Sequence, residues 1–207
     1  MPESAYGPTN NCIGIGKVLE QHGHRVVFAA EASWKDRLEP LGFEERLVDL
    51  APPPETEQDA GQFWTDFIVQ TAGEFRKPTI EQLDSFIKPV WESLLEGARY
   101  AQGQLEKILA ETHPDVIVED NVSCFPALMT HGAPWVRIVS CNPLEVKDPE
   151  LPPPFSGYAV ADRSGWEEFR QEYHRTHAKE IKQKGIAPFL FPDKEHGADD
   201  ANKEEGI

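Results

Sequence analysis

Three polar side chains follow a short apolar run near the middle of the chain. Residues 116–118 are Val, Ile and Val, an unbroken β-branched run of the kind found in parallel strands covered by helices on both faces. Glu119, Asp120 and Asn121 come directly after it. Ligands bind at the carboxyl ends of strands in open α/β sheets, so Asp120 is predicted to be a working carboxylate. The alternative is that Asp120 caps a helix predicted at residues 122–129.

A second group of polar side chains follows the next predicted strand. Residues 135–140 (WVRIVS) are predicted to form this strand, with Ser140 and Asn142 at or just beyond its carboxyl end. Because the carboxyl ends of parallel strands meet at one edge of a sheet, we expect both side chains to lie beside Asp120. Asn121, Ser140 and Asn142 are therefore candidate ligand-binding residues.

The first fifty residues predict alternating helices and strands. We predict a helix at residues 13–21 ended by Gly23, a strand at 25–30, a helix at 32–41 closed by Gly42, and a strand at 43–50. The turn formers in residues 7–11 predict a loop that opens into the first helix. Six residues precede this loop and include a proline and no β-branched residue, so no opening strand is predicted. The expected fold class is α/β, with a Rossmann-like parallel sheet that is flanked by helices and lacks its opening strand.

Aromatic side chains are concentrated after a proline-rich break at residues 51–54. Trp64, Phe67 and Trp91 recur at helical spacing with other apolar residues. Such stripes usually pack in a core, but a pocket for a flat apolar ligand beside Asp120 would need the same residue types. Both interpretations stay open, and these three residues are candidates for ligand binding.

Two pairs of histidines have spacings that could bind a metal ion. His22 and His24 flank the end of the first predicted helix, where capping is the more common role. His174 and His177 lie one turn apart in a charged helix predicted at residues 166–184, with Glu180 one turn further, but the interleaved Arg175 and Lys179 make a solvated face the more common role. No metal site is predicted.

The composition excludes several classes of function. With 36 acidic and 20 basic residues, the 207-residue chain has a formal charge of −16, which would repel the phosphate backbone of a nucleic acid. No apolar run approaches the roughly 18 residues of a membrane span, and no signal peptide is recognisable, so the expected location is the cytoplasm. Three cysteines without a CxxC spacing indicate buried thiols in place of a disulfide framework.

The chain divides into three parts by composition. Residues 6–147 are predicted to form one Rossmann-like ligand-binding domain. Residues 148–192 hold a proline-rich connector and the charged helix. Residues 193–207 form an acidic tail that we expect to be disordered.

An ordered set of short motifs resembles a known enzyme family. The set comprises Gly7-Pro8-Thr9-Asn10 at the start of the first helix, then GKVLEQHGHRVVFAA, Leu41-Gly42-Phe43, HPDVIVEDNVSCFPA and SCNPLE. In this order the motifs resemble the N-terminal domain of the macrolide-type glycosyltransferases, which belong to the UDP-glycosyltransferase family with the GT-B fold. The resemblance extends over nearly the whole chain, roughly residues 6–192.

The resemblance implies an enzyme with two halves, of which this chain is the acceptor-binding half. A second Rossmann-like half holds a UDP-sugar as co-substrate, and a hexose passes to a hydroxyl of an apolar small molecule. Transfer inverts the anomeric carbon and needs no metal or other cofactor. The resemblance also implies Pro8, Thr9 and Asn10 as residues of the acceptor site, with Asp120 as the catalytic carboxylate.

One position departs from the family's pattern. The family has a histidine directly after the glycine of the first loop, where it takes a proton from the acceptor hydroxyl, whereas this chain has Pro8. Proline cannot accept a proton, so either Asp120 acts as the base or another side chain such as His24 replaces the histidine.

Three functions follow from these observations. The first is the acceptor-binding half of a glycosyltransferase, inactive until a separate donor-binding domain or subunit joins it. The second is a catalytically retired domain that holds an apolar small molecule against the aromatic residues. The third is a scaffold that associates with whatever completes its sheet.

Overall fold

The computed structural model describes residues 1–52, 62–140 and 148–184, and the side chains of residues 62–65 and 177–184 lie outside that description. The α-helices are α1 (Tyr6–Gln21), α2 (Gln62–Thr71), α3 (Thr79–Gln82), α4 (Lys88–Thr112), α5 (Pro126–Thr130) and α6 (Trp166–Lys184). The strands are β1 (Val27–Glu31), β2 (Glu44–Val48), β3 (Ile117–Asp120) and β4 (Trp135–Ile138).

The strands form two parallel pairs. β1 pairs with β2, with Val27 opposite Glu44. β3 pairs with β4, with Ile117 opposite Trp135. Parallel neighbours must be joined by crossover connections, which here carry the helices or short helical turns. The α/β class is confirmed, and the four predicted strands lie within a few residues of their expected positions.

A short segment ahead of α1 pairs with β3. Pro2 and Asp120 form an isolated parallel bridge. The Asp120 amide donates to the Met1 carbonyl at 3.0 Å, and the Glu3 amide donates to the Asp120 carbonyl at 2.7 Å. As predicted, no strand precedes α1 in the described part of the chain, but this segment pairs with β3 through the single bridge. The buried backbone of β3 needs partners on this side, and any extended segment can supply them whatever its side chains.

The first helix begins earlier than predicted. Residues 7–11 belong to the first turns of α1, and the expected loop there is wrong. Pro8 is compatible with this position because the amides of a first helical turn have no partner within the helix. The predicted stop is confirmed, since Gly23 has a left-handed φ of 85° just after the helix.

The helix predicted at residues 32–41 is also wrong. Two short 3-10 turns, Ala32–Trp34 and Glu39–Leu41, take its place. Asp36 between them has a φ of 61°, which no α-helix accommodates, and Pro40 has no amide hydrogen to continue one. Gly42 closes the segment with a left-handed φ of 93°, as predicted.

α1 and α4 cover opposite faces of the strands. β1 shows this directly, because Phe28 and Ala30 pack with α1 whereas Ala29 packs with the cluster around α4. The α1 side joins Cys12, Phe28, Ala30, Trp34, Leu38 and Phe43. The α4 side joins Val48, Ala98, Ala101, Leu105, Leu109, Ile117, Phe125, Ala127 and Leu128. The strands therefore lie between a layer formed by α1 and a layer formed by α4.

A third, largely aromatic cluster lies around the start of α4. Leu83 and Ile87 come from the π-helical turn Leu83–Ile87 that joins α3 to α4, Trp91 comes from α4, and Phe169 comes from α6. This cluster connects the charged C-terminal helix to the rest of the fold. The predicted helix at residues 166–184 is confirmed as α6.

Gly16 permits the close approach of α1 to the strands, and a matched pair of variants tests this. A Cβ at Gly16 would lie 3.0 Å from the Phe43 ring, whereas a Cβ at Gly14 would meet nothing within 4 Å. Replacing a helical glycine by alanine gains about 1 kcal/mol, and overpacking a core costs about 1–3 kcal/mol. In urea unfolding we expect Gly14→Ala to stabilise the chain by about 1 kcal/mol and Gly16→Ala to destabilise it by a similar amount. Equal stabilisation by both variants would contradict this packing.

Candidate functional site

The Asp120 carboxylate is the centre of a polar cluster at the carboxyl end of β3. The side-chain amide of Asn11 donates from Nδ2 to Asp120 Oδ2 at 3.0 Å. The Ser140 hydroxyl donates to Asp120 Oδ1 at 2.7 Å. Asp120 is only 2% exposed, whereas Asn11 and Ser140 lie at the surface. The cluster thus presents an amide and a hydroxyl to solvent, with the carboxylate behind them.

Backbone contacts hold these three elements together. The main chain of Asp120 is bound on one side by residues 1–3, and Thr9 Oγ1 donates to the Glu3 carbonyl at 2.8 Å. Thr9 is fully buried in the second turn of α1. This bond ties the start of α1 to the segment that pairs with β3, which brings Asn11 to the carboxylate.

Glu119 points to the opposite face of β3. Its Oε2 accepts from Trp135 Nε1 at 2.7 Å, and its Oε1 accepts from the Phe125 amide at 3.2 Å. Phe125 is the N-cap residue of α5, so Glu119, and not Asp120, satisfies this helix end. The capping interpretation of Asp120 is therefore wrong.

Burial raises the pKa of Glu119 to about 7, since a carboxylate loses its hydration inside the fold. The hydrogen bond from Trp135, the nearby terminal ammonium of Met1, the Phe125 amide and the charge of Arg137 each lower it, but less than burial raises it. Glu119 is fully buried, so it cannot touch a ligand. Its role is to join β3, β4 and α5.

Asn121 shapes the loop after β3. Its Oδ1 accepts from the Ser123 amide at 3.4 Å, and its carbonyl accepts from Arg137 Nη2 at 3.1 Å. Asn121 is buried, next to Asp120 in the chain but with its side chain turned into this loop. It positions the site without presenting an atom to it.

The structure brings together only part of the predicted site. Asp120 and Ser140 are in contact, as expected. Pro8 and Thr9 lie in the first turns of α1, half-buried and buried. Asn10 is exposed one residue before Asn11. Asn142 lies outside the described residues.

The aromatic candidates lie in a different part of the fold. Trp91 is 6% exposed and belongs to the cluster around the start of α4. The centroids of the Phe67 and Phe86 rings lie 5.8 Å apart. Neither ring belongs to the cluster around Asp120. The side chain of Trp64 lies outside the description. Trp91 is a core residue, as the alternative interpretation allowed.

Sequence analysis missed Asn11. The tandem Asn10-Asn11 pair was interpreted as part of a turn, and a turn residue has no defined direction. Once α1 starts at Tyr6, its buried residues Thr9, Cys12 and Gly16 fix the helical phase and place Asn11 on the rim of the strand edge. A correct helix start was the signal that could have found it.

An open apolar surface on one side of α1 begins at this cluster. Its polar end is formed by Asn10 and Asn11, and its apolar part by Gly14, Ile15, Val18 and Leu19. All six residues belong to α1, so this surface is one face of a single helix. Asn11 thus belongs both to this surface and to the cluster around Asp120.

The described residues give no sign of a metal centre or a membrane helix. Within them, no three His, Cys, Asp or Glu side chains converge as metal ligands would. His22 Nδ1 donates to the Val18 carbonyl at 2.7 Å, which is the capping role expected of it. No helix in the described ranges combines the length and apolarity needed to cross a bilayer.

Comparison with known proteins does not place the chain in a family. No protein-family model matches the sequence, and no curated protein matches it either. The site geometry and the sequence motifs therefore carry the functional argument.

The arrangement is suited to hydrogen bonding more than to proton abstraction. Both oxygens of Asp120 already accept a hydrogen bond, and the carboxylate is shielded behind its two donors. The groups that face solvent are an amide and an aliphatic hydroxyl, neither of which titrates near neutral pH. Among the described residues of this cluster, a bound hydroxyl would find acceptors but no side chain poised to take its proton.

Glu119 makes stability depend on pH. Its pKa is about 7 in the folded chain against about 4.5 for an ordinary glutamate, so the folded state holds the proton over a pH range where the unfolded state releases it. Stability therefore falls as pH rises through this range, by about 3 kcal/mol in total. We expect urea unfolding to show a more stable chain at pH 5 than at pH 8.

The variant Glu119→Gln tests the source of this dependence. Glutamine cannot ionise, so the contribution of this residue to the pH slope should disappear. Glu96→Gln, on the exposed side of α4, is the matched control and should leave the slope unchanged. An unchanged slope in Glu119→Gln would show that the dependence arises elsewhere.

Proposed function

We propose that this chain is the acceptor-binding half of a glycosyltransferase of the GT-B type. In this proposal a hexose is transferred from a UDP-sugar to a hydroxyl of an apolar small molecule, with inversion and without a metal. The observation that supports it most is the convergence of α1, the end of β3 and the end of β4 on the Asp120 carboxylate. A hydroxyl-bearing ligand fits such an edge of a parallel sheet.

The resemblance noted in the sequence agrees with this arrangement. The motifs that carry it include the start of α1, the end of β3 and Ser140, which meet at Asp120. The resemblance implies a carboxylate at the end of β3 that orients a histidine at the position of Pro8; in this chain the carboxylate of Asp120 contacts Asn11 of the first helix instead. We also propose that residues 6–147 form one Rossmann-like domain of the GT-B type.

The contacts of Asp120 support a chain that is inactive by itself. In this chain Asn11 is the α1 residue that contacts the carboxylate, and an amide cannot act as a general base. Pro8 cannot do so either. His24 follows the C-terminal end of α1, away from the Asn11 end, so it does not replace the base. Turnover then depends on a donor-binding half as a partner.

A second candidate is a small-molecule-binding domain that transfers nothing. The observation in its favour is that neither Asn11 nor Ser140, the two side chains that reach Asp120, titrates near neutral pH. Such a domain would bind the same apolar, hydroxylated molecules without needing a second half.

Calorimetry on the purified chain tests the shared part of these proposals. We expect flavonoid-like and polyketide aglycones to bind and UDP-glucose not to bind. Asp120→Ala should weaken aglycone binding about tenfold, because Asn11 and Ser140 lose the acceptor that orients them; this is of the order of one charge-assisted hydrogen bond. Asp115→Ala, at an exposed position just before β3, is the control.

Two further results separate the candidates. Tight binding of UDP-glucose by the chain alone would contradict the acceptor-binding assignment. Hexose transfer to a bound aglycone when a donor-binding half is added in trans would favour the enzyme, and aglycone binding without any transfer would favour the binding domain. Melting curves of Asp120→Ala and Asp115→Ala distinguish lost binding from lost folding.

A further inference from the structure

We infer that the side of β3 and β4 that faces away from α4 is a docking site for one amphipathic helix of a partner polypeptide, whose polar side is basic. The site is a channel with two walls, one formed by the strands and the other by the exposed side of α1. Its apolar side chains are those of Val116, Val118, Val136 and Ile138 on the strand wall, with Ile15 and Val18 on the α1 wall. This docking channel is separate from the acceptor proposal, because a helix docks here whether or not the chain binds a glycosyl acceptor.

The alternation of β3 defines the strand wall. Ile117 packs in the cluster on the α4 side, and Glu119 accepts a hydrogen bond from the start of α5 on that same side. Successive side chains of a strand point to opposite faces. Val116, Val118 and Asp120 therefore point to the other side, where Asp120 contacts α1.

The register of the strands extends this wall to β4. Val136 lies opposite Val118, and Ile138 lies opposite Asp120, so these side chains share one face of the sheet. Among the described residues, no hydrophobic cluster includes any of the four apolar side chains on this wall. Val116 is 53% exposed and Val136 is 48% exposed. An apolar sheet face of this kind is stabilised when another layer covers it.

α1 forms the second wall of the docking channel. Asn11 donates to Asp120, so this side of α1 faces β3. Ile15 and Val18 follow Asn11 by one and two turns on the same side of the helix. Val18 is 54% exposed, and neither side chain packs in a cluster of the described residues. From Asn11 to Val18 the helix rises about 10 Å, and from Val116 to Asp120 the strand rises about 13 Å, so the two walls have similar lengths.

The shape and polarity of the strand wall call for a helix. Two strand spacings of about 4.8 Å give a width of about 10 Å, which is the usual distance between packed helices. α5, the crossover helix between β3 and β4, packs on the α4 side and leaves this side open. A helix satisfies its own backbone hydrogen bonds, whereas an irregular segment on an apolar face would bury unpaired groups. One helix with an apolar stripe of about three turns therefore fits the docking channel.

The charge of the chain selects the polar side of that helix. The chain carries a formal charge of −16, so a basic helix is attracted and an acidic helix is repelled. At one end the docking channel reaches the cluster of Asn11, Ser140 and Asp120. The amide and hydroxyl oxygens there accept hydrogen bonds from lysine or arginine. The occupant is thus apolar toward the strands and basic toward solvent.

The test uses synthetic peptides of leucine and lysine, each about 14 residues long, a length at which an amphipathic helix can form. In the first peptide the leucines recur every three or four residues and lie on one side of the helix. The second peptide has the same composition in an order that spreads the leucines around the helix. In calorimetry with the full chain, we expect the first peptide to bind one to one and the second to bind at least tenfold more weakly, because it has no apolar side to bury. A peptide with the first pattern and glutamate in place of lysine should also bind at least tenfold more weakly.

Three variants assign the binding to the docking channel. Val136→Lys on the strand wall and Val18→Lys on the α1 wall should each weaken the amphipathic leucine–lysine peptide at least tenfold, because each places a charge within the apolar contact. Val69→Lys is the matched control, since it makes the same change at a valine of α2 that is 71% exposed. It should leave the affinity within about twofold. The three positions are exposed, so the melting temperatures should stay equal.

Every other result overturns the inference. Equal affinity for the two leucine–lysine peptides would show that charge alone attracts them. Equal losses in Val69→Lys and Val136→Lys would place the binding outside the docking channel. Absence of saturable binding would remove the channel as a helix site. If the aglycones used in calorimetry shifted the backbone amides of Val116 and Val136 in ¹⁵N–¹H spectra, the channel would be a small-molecule site in its place.

Discussion

The burial of two neighbouring carboxylates at the end of β3 is the constraint on which the rest of the structure depends. Glu119 and Asp120 are adjacent, so the alternation of a strand sends their side chains to opposite faces. An unpaired charge in either place would cost several kcal/mol. Each therefore needs donors from the layer that it faces: Trp135 and the start of α5 on one side, and Asn11 of α1 with Ser140 on the other. These bonds join the two layers across one strand.

The same constraint decides what the site can do. Both oxygens of Asp120 already accept a hydrogen bond, so the carboxylate orients Asn11 and Ser140, and these two side chains face solvent in front of it. The carboxylate contributes specificity because it fixes which end of the Asn11 amide faces outward.

The sequence predicted the features that depend on local pattern, and missed those that depend on tertiary contacts. The β-branched run before Glu119 and the polar residues after it were enough to place Asp120 and Ser140 at one edge. Residues 1–3 have no strand-like composition, so nothing in the sequence indicated their pairing. Their extended form depends on the backbone of β3, which would otherwise be unpaired. Asn11 was missed because its direction depends on where α1 begins. The break at Asp36 likewise depends on a backbone angle that helical propensity does not encode.

The π-helical turn Leu83–Ile87 has a consequence for the cooperativity of the fold. α3, this turn and α4 form one continuous helical run from residue 79 to residue 112. Its first part packs in the aromatic cluster and its last part packs against the strands. One extra residue rotates everything beyond it by about 100° around the helix axis, so the turn sets the angle between the two apolar stripes. One continuous helical run thus contributes to both the aromatic cluster and the α4 side of the strands. We therefore expect the unfolding of either one to break backbone hydrogen bonds in the helix that connects it to the other.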